Sequence, residues 1–500
     1  MNAKVVRKVL LTFLAMLTCI ATSTAQTQPL EFDELLRSIK ESKLDVATAN
    51  RIAKKSVSDR GLQFDISEVQ KNQLREAGAD EELLLAVLKS TSNRHSEIAS
   101  KCAETDLECK LVNYDKALLF NPQDEYDLNS RGLALYNLRR FDEAIRDFTL
   151  ALVENQKFFE AYFNRALAYD AKEAYDLSIR DLNSAIEINP DEADSYFNRG
   201  DSFSSKNDHQ AAVNDFSKYI ELAPKEPDGY ERRGNAFLML DLIDKAMSDY
   251  EKALKLNEKF ADAFVGRGRI FLKKKKYDQA IKEFDKALAI EPNSVYATHN
   301  RAAAYELQKD FPQALAGLNR VLELDRESID ALMDRARVYE ETEKWTAARD
   351  DYSAVIAQNQ KRADAHIFRA LMHAKLLDYE NALLDLSKAI ELEPKGSGAY
   401  FERGSIYIDI EDYASALRDY NRFIELEPKD SDGYHNRSII YLNINDYEKA
   451  VSDASEAIKL NPNSVSPYEA RAEAYTNLGY NDKASADWAK AKELRSKAKP

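Results

Sequence analysis

An arginine recurs every 34 residues through most of this 500-residue chain, and this spacing constrains the fold more than any other feature of the sequence. A fixed period with no insertion or deletion indicates that one small structural unit is copied in tandem. Such units stack on their neighbours and form an elongated solenoid rather than one globule. We number the units as repeats 1–11 after their arginines, which are Arg131, Arg165, Arg199, Arg233, Arg267, Arg301, Arg335, Arg369, Arg403, Arg437 and Arg471.

Other columns keep the register of the arginines and predict two helices in each repeat. A small residue follows every arginine, and Ala or Ser stands thirteen positions after it, so two helices can approach closely. Seventeen positions after the arginine, a large apolar residue fills the space between the helices in every repeat except at Ala454. Six repeats close with a proline, which ends a helix and begins a turn. These prolines are Pro190, Pro224, Pro292, Pro394, Pro428 and Pro462.

The eleven repeats resemble the tetratricopeptide repeat, whose period, small-residue columns, aromatic columns and terminal prolines they share. The resemblance covers residues 125–500, and Tyr114, Ala117 and Pro122 extend it to a degenerate repeat at residues 92–124. It implies an all-α fold, a right-handed superhelical solenoid of helix-turn-helix repeats. It also implies that the first helix of each pair lines a concave groove, in which the family binds peptides or protein segments.

The N-terminal residues 1–25 have the pattern of a signal peptide. Three basic residues precede an apolar run over residues 9–21, and a small-x-small cleavage site ends at Ala25. The apolar run is short for a membrane span, so we expect an exported, periplasmic or secreted protein with no transmembrane segment after signal cleavage. Lipidation at Cys19 is disfavoured because Thr18 does not fit the bacterial lipobox.

Residues 26–91 do not follow the 34-residue period and predict a small helical module. Its last two helices are expected over Ser67–Ala77 and Asp80–Lys89, with Gly78 between them. Two roles remain open for this module. Either it covers the exposed first repeat, as the ends of solenoids require, or it serves docking or self-association.

The mature chain keeps two cysteines, Cys102 and Cys109. On one continuous helix they would lie about 10 Å apart, which is too far for a disulfide. The register of the degenerate repeat instead places a turn between them, and an exported protein favours oxidation. We therefore expect a disulfide between Cys102 and Cys109, with two free buried thiols as the alternative.

A second charged column accompanies the arginines. An aspartate stands sixteen residues after the arginine in nine repeats, whereas Glu283 and Gly317 take this place in repeats 5 and 6. Paired helices of one repeat can bring the two columns together, so we predict a repeated arginine–carboxylate bridge rather than a ligand site.

The residues beside each arginine are the candidates for binding. Asparagine can donate to and accept from an extended peptide backbone, but it stands directly before the arginine in only four repeats, so we do not expect a uniform clamp. Apolar neighbours predict an apolar groove near the first three repeats, unless they pack against the next helix instead. The candidates are Asn164, Asn198, Asn300, Asn436, Phe163, Phe197, Leu133 and Leu167.

Acidic residues begin the first helices of seven repeats. Negative charge stabilises a helix N-terminus, which is the simplest explanation of this column. The same acids also give the rim of the expected groove a bias toward basic partners. They are Glu160, Asp194, Asp228, Asp262, Asp330, Asp364 and Asp432.

Composition and motifs exclude several classes of function. The net charge of −15 disfavours a nucleic-acid partner, which requires a basic surface. The sequence has no metal-site pattern, phosphate loop or nucleophile motif, so we expect no metal, no cofactor and no enzyme. The sequence therefore predicts a non-enzymatic scaffold that binds a protein or peptide partner. The alternatives are a self-assembling structural protein of the cell envelope and an enzyme whose catalytic module is residues 30–91.

Overall fold

The computed structural model describes residues 29–42 and 45–497, and the predicted signal peptide lies outside these ranges. All regular structure in the described ranges is α-helical, apart from one isolated bridge between Leu30 and Leu62. The chain forms two compact units, Met1–Glu258 and Lys259–Pro500. Within the described residues, no helix has both the length and the apolar character that a membrane crossing requires.

The first unit contains the N-terminal helices, the degenerate repeat and repeats 1–4. Its helices are α1 Phe32–Lys40, α2 Val46–Arg60, α3 Glu68–Glu76, α4 Glu81–Lys101, α5 Leu107–Phe120, α6 Glu125–Asn137, α7 Phe141–Glu154, α8 Phe159–Asp170, α9 Tyr175–Ile188, α10 Ala193–Ser205, α11 His209–Leu222, α12 Pro227–Met239 and α13 Ile243–Leu256.

The second unit contains repeats 5–11. Its helices are α14 Ala261–Lys273, α15 Tyr277–Ile290, α16 Val295–Leu307, α17 Phe311–Leu324, α18 Ile329–Glu341, α19 Trp345–Gln358, α20 Ala363–Lys375, α21 Tyr379–Leu392, α22 Ser397–Asp409, α23 Tyr413–Leu426, α24 Ser431–Asn443, α25 Tyr447–Leu460, α26 Ser466–Asn477 and α27 Asn481–Lys497. In both units each repeat is one pair of helices packed side by side, which confirms the all-α repeat fold.

The small and bulky columns meet inside each helix pair. In repeat 3 the ring of Phe216 is fully buried against Gly200, where an added Cβ would lie 2.8 Å from Cε1 of Phe216. Repeat 2 has Ala166 and Leu182 in the same two positions, and both are fully buried. Glycine thus stands opposite an aromatic ring, and alanine stands opposite leucine. The two columns compensate each other in volume, because a close-packed interior has no spare space.

The compensated pair in repeat 3 gives a testable prediction. We expect Gly200→Ala to lower the free energy of unfolding by about 1–3 kcal/mol, because the added methyl group overlaps the ring of Phe216. Adding Phe216→Leu recreates the Ala–Leu pair of repeat 2 and should recover most of that loss. A double-mutant cycle by urea unfolding measures the coupling, and strictly additive losses would contradict volume compensation.

The turn within each repeat depends on one left-handed residue. The residue eight positions after the arginine has φ between 54° and 64° in repeats 1–10, and Gly479 takes this place in repeat 11. In repeat 1, the amide after this residue, that of Arg140, donates to the carbonyl of Leu135 at 2.9 Å, which closes the helix. Most side chains at this position are not glycine or asparagine, so residue type alone does not reveal the conformation.

The N-terminal module has its own core, but it shares a helix with the degenerate repeat. Leu35, Leu74, Leu83 and Val87 are fully buried together. The helix predicted over Asp80–Lys89 is too short, since α4 continues through the predicted boundary at residue 91 as far as Lys101. No glycine or proline interrupts this stretch, and the hydroxyl groups at its centre donate to backbone carbonyls.

The degenerate repeat has a longer connection between its helices than the regular repeats have. Five residues join α4 to α5, and no residue there has a positive φ. A disulfide joins Cys102, at the end of α4, to Cys109, in the first turn of α5, with the two Cα atoms 6.0 Å apart. This covalent link holds the pair together where the other repeats use the left-handed turn.

A buried carboxyl group lies between the degenerate repeat and repeat 1. Asp127 of α6 is 5% exposed, and the hydroxyl of Ser96 of α4 donates to it at 2.6 Å. Burial, with a smaller contribution from the nearby charge of Asp124, raises the pKa of Asp127 to about 6. Above this pH the carboxylate is charged and has no cation to compensate it, which destabilises the contact.

We expect Asp127→Asn to stabilise this contact at pH 8 by about 2 kcal/mol, because the amide avoids the buried charge. The raised pKa of the folded state means that the wild-type contact gains stability as the pH falls through about 6. The variant should lack this gain. Amide exchange in α4 and α6 at pH 8 and pH 5, corrected for intrinsic rates, measures both effects, and an equal wild-type–variant difference at the two pH values would contradict the assignment.

Candidate functional site

The arginine column forms the predicted bridge to the aspartate column. In nine repeats, Nε and Nη2 of the arginine donate to the two carboxylate oxygens at 2.6–2.9 Å. The aspartate side chains are at most 11% exposed. This bidentate geometry uses the donors of the arginine within the fold, so the column is structural rather than a ligand site.

The remaining donor of the arginine reaches the preceding repeat, a contact that the sequence analysis missed. Nη1 donates at 2.6–3.3 Å to a side chain sixteen residues earlier, on the second helix of that repeat. Nine of these arginines therefore connect three helices, whereas Arg301 lacks the bridge within its own repeat. The acceptors vary in type but are always polar, which is the signal in the sequence: Asp115, Thr149, Asn183, Ser217, Asp285, Asn319, Ser353, Ser387, Asn421 and Ser455.

Repeats 5 and 6 depart from this geometry. Glu283 is one methylene longer than aspartate, and its Oε2 lies 3.2 Å from Nε of Arg267 without hydrogen-bond alignment. In repeat 6, Gly317 supplies no carboxylate, and Nη1 of Arg301 pairs with Asp285 of repeat 5 at 2.7 Å. A Cβ at Gly317 would lie 2.8 Å from the Cβ of Ala302, so the glycine lets the two helices approach.

The contrast between repeats predicts different costs for similar substitutions. Asp181→Asn should destabilise repeat 2 by about 3 kcal/mol, because it removes the charge that compensates a largely buried Arg165. Arg301→Gln should cost less than about 1 kcal/mol, because that arginine is more exposed and its partner Asp285 is half exposed. Amide exchange in α9 and in α17 compares the two repeats, and equal losses would contradict the difference.

The asparagine candidates lie on first helices, and each side-chain amide already has a partner within the chain. Nδ2 of Asn164 donates to Oδ1 of Asn129 in repeat 1 at 3.1 Å. Asn198 and Asn300 donate at 2.8 Å to the carbonyl four residues earlier, and Asn436 donates to the hydroxyl of Tyr420 at 2.9 Å. The structure therefore does not bring the four asparagines into one row of free donors.

The apolar candidates lie on the first helices of repeats 1–3 and differ in exposure. Leu133 is 40% exposed, whereas Leu167 is half-buried. Phe163 stacks on Phe159 of its own helix at 5.9 Å. Phe197 packs against the second helix of its own repeat, with ring centroids 4.9 Å from Tyr219, so it belongs to the core of repeat 3. The leucines are thus the more available apolar surface.

Two acids on the same helices complete this surface, and the sequence analysis did not single them out. The hydroxyl of Ser202 lies 2.8 and 3.0 Å from the two carboxylate oxygens of Asp170 in the neighbouring repeat. Asp201 lies 3.7 Å from Arg232 of repeat 4. Burial raises the pKa of both carboxyl groups, and the charge of Asp170 adds to the rise at Asp201. In repeat 1 the same two columns hold the uncharged residues Tyr136 and Leu133, so the change to aspartate is visible in the sequence.

The first helices of adjacent repeats form a continuous face in the first unit. Helices α6, α8, α10 and α12 contact one another in turn, and the Asn164–Asn129 and Ser202–Asp170 hydrogen bonds cross between repeats on this face. We call the face of repeats 1–3 around Leu133, Leu167, Asn164 and Asn198 the first-helix face. Among the described residues no group of three histidine, cysteine or acidic side chains could hold a metal ion.

Comparisons with known proteins agree with the repeat architecture. Models described as tetratricopeptide repeat match residues 129–193 and 333–399, residues 193–226, 227–260 and 397–430, and residues 419–452. A model described as TPR repeat matches residues 268–309. No curated protein sequence matches the chain significantly.

Several solved structures are similar over part or most of the chain. Yeast Tom70 is 15% identical, covering 82% of this chain and 97% of that chain, with a TM-score of 0.36. YrrB, described as a TPR protein with an unusual peptide-binding site, is 26% identical over 37% of this chain and 95% of its own, with a TM-score of 0.32. A tetratricopeptide repeat protein from Parabacteroides merdae is 20% identical over 50% of this chain and 99% of its own, with a TM-score of 0.38.

Proposed function

Because the chain belongs to the tetratricopeptide repeat family, a family of protein-interaction scaffolds, we propose that it binds polypeptide segments on the first-helix face of repeats 1–3. All-helical repeat folds of this kind are typically non-catalytic. Binding of a polypeptide in this way requires no cofactor. The face that would bind it combines apolar and amide side chains.

One observation carries this proposal, namely that the first-helix face is continuous across neighbouring repeats. Asn164 and Asn129 are 35 residues apart in sequence but 3.1 Å apart at their side chains. An extended segment crossing this face would meet Leu133 and Leu167 for apolar contact, and its backbone N–H groups could donate to the side-chain oxygens of Asn164 and Asn198. The arginines of the bridges donate within the fold, so the neighbouring leucines and asparagines are the side chains that would contact a partner.

We also propose that the protein works outside the cytoplasm, in the periplasm or as a secreted protein. The signal-peptide pattern of residues 1–25 supports this setting. The disulfide between Cys102 and Cys109 supports it as well, because such bonds persist in oxidising compartments.

Non-reducing mass spectrometry of the protein isolated from the envelope fraction should find Cys102 linked to Cys109. It should also find that the mature chain begins at Gln26. Protein expressed without residues 1–25 and kept in a reducing cytosol is the matched control, and we expect free thiols there. Alkylatable thiols at both cysteines in the envelope sample would contradict the proposed compartment.

A second candidate function is self-assembly, which one exposed apolar surface supports. The second helices of the degenerate repeat and repeat 1 expose four apolar side chains, at 45–74% of their surface. Exposed apolar side chains on neighbouring helices are a common feature of protein interfaces. They are Val112, Leu119, Leu150 and Val153. We call them the second-helix patch.

The two candidates predict opposite results for one pair of variants. Leu133→Glu/Leu167→Glu should abolish binding of peptides selected by display on the wild-type protein, because it places charge on the first-helix face. Leu119→Glu/Val153→Glu adds the same charge to the second-helix patch and should leave that binding intact. Equal loss of peptide binding in both variants would contradict the groove function. An oligomer, measured by light scattering, that dissociates only in the second variant would favour self-assembly.

A further inference from the structure

The first-helix face lies within a strongly acidic surrounding. Exposed carboxylates begin the first helices of repeats 2–4 at Glu160, Asp194 and Asp228, which form the acidic rim. Asp170 and Asp201 lie further along two of the same helices and are half-buried. Negative groups therefore flank the apolar side chains at both ends of these helices.

Little positive charge offsets these acids on the same face. The first helices of repeats 1–4 carry one positively charged side chain besides the bridging arginines, namely Arg232. Its Nε lies 3.7 Å from both Asp201 and Glu231, so it is already shared between two carboxylates. Asp170 has hydroxyl groups as partners rather than a cation.

The half-buried acids are costly to keep charged without a counter-ion. Burial raises the pKa of Asp170 and Asp201, and the two carboxylates also repel each other. A cation placed between them would stabilise the charged forms and lower both pKa values. A ligand that carries positive charge therefore gains more from this face than a neutral or acidic one does.

We propose that the segment bound on the first-helix face is basic as well as apolar, with lysine or arginine side chains that contact the acidic rim, Asp170 and Asp201. This inference rests on the proposed peptide-binding function and specifies the chemistry of its partner. The evidence is the acidic charge that surrounds Leu133 and Leu167 on a face that is continuous across the repeats.

The spacing of the repeats sets the spacing of the basic residues. Neighbouring packed helices lie about 8–10 Å apart, and the acidic rim supplies one carboxylate for each of repeats 2–4. A polyproline II segment advances about 3.1 Å per residue and repeats its orientation every three residues, which gives about 9 Å. Basic residues at every third position would therefore meet Glu160, Asp194 and Asp228 in turn.

Fluorescence anisotropy with synthetic twelve-residue peptides tests the proposal on the full mature protein. One peptide carries lysine at every third position among leucine and proline, a second replaces lysine by glutamate, and a third replaces it by serine. We expect the lysine peptide to bind most tightly. Its affinity should fall as salt is added and should be lower at pH 5 than at pH 7.5. Equal affinity for the lysine and glutamate peptides would overturn the proposal.

A matched pair of variants locates the charge contribution. Asp194→Asn/Asp228→Asn should weaken binding of the lysine peptide by about fivefold, as expected for two exposed ion pairs. Asp330→Asn/Asp432→Asn changes the same column and the same net charge in the second unit, and it should leave the affinity unchanged. Equal weakening in both variants would show general attraction to an acidic protein and would also overturn the proposal.

The outcomes separate this inference from the function on which it rests. The uncharged variant Leu133→Ser/Leu167→Ser removes the apolar contacts without adding negative charge that would attract lysine. If the serine peptide binds as tightly as the lysine peptide, and both are lost in Leu133→Ser/Leu167→Ser, the face binds peptides without preference for charge, and the inference fails alone. If no peptide responds to that variant, the proposed function fails with it. Loss of the lysine peptide in Leu133→Ser/Leu167→Ser, together with weaker binding in Asp194→Asn/Asp228→Asn, supports both.

Discussion

The three-helix contact of the repeat arginine, which nine of the eleven repeats make, is the interaction on which the rest of this structure depends. Its two bridging donors fix the second helix of the same repeat, and its third donor fixes the second helix of the repeat before. One side chain thus sets both the pairing within a repeat and the stacking between repeats. Because the aspartate is nearly buried, its charge requires this partner, and the register of the helices cannot shift without exposing or isolating it.

Volume compensation gives the pairing its shape. Where the small column holds glycine, as at Gly132 and Gly200, the facing residue is a phenylalanine or a tyrosine whose ring lies close to the position of the missing Cβ. Where it holds alanine, the partner in the bulky column is leucine in three repeats, as at Ala166, and Tyr352 or Trp488 in the two others. The same arginine geometry recurs in repeats with different core residues, in both units.

Because the arginine column serves the fold, the first-helix face is available for the proposed binding of a polypeptide segment. The charged column that recurs most regularly serves the fold, and the irregular columns around it carry the leucines, amides and acids of repeats 1–3. Asp170 and Asp201 matter here because they are half-buried without a cation of their own, unlike the bridging aspartates. Asp170 has hydroxyl groups as partners, and Asp201 shares Arg232 with Glu231. The proposed preference for a basic segment follows from this difference in compensation.

The sequence by itself determined the period, the helix pairs and the arginine–aspartate bridge, because these depend on residue types repeated at fixed spacing. It also brought Cys102 and Cys109 to the two ends of one turn. Only the tertiary structure decided the extent of α4, because no helix-breaking residue marks its end. It also decided the left-handed turn residues and the third arginine contact, because the residue types at those positions vary from repeat to repeat. It alone decided that the candidate asparagines donate within the chain and that Asp170 is half-buried, since these depend on how the helices pack.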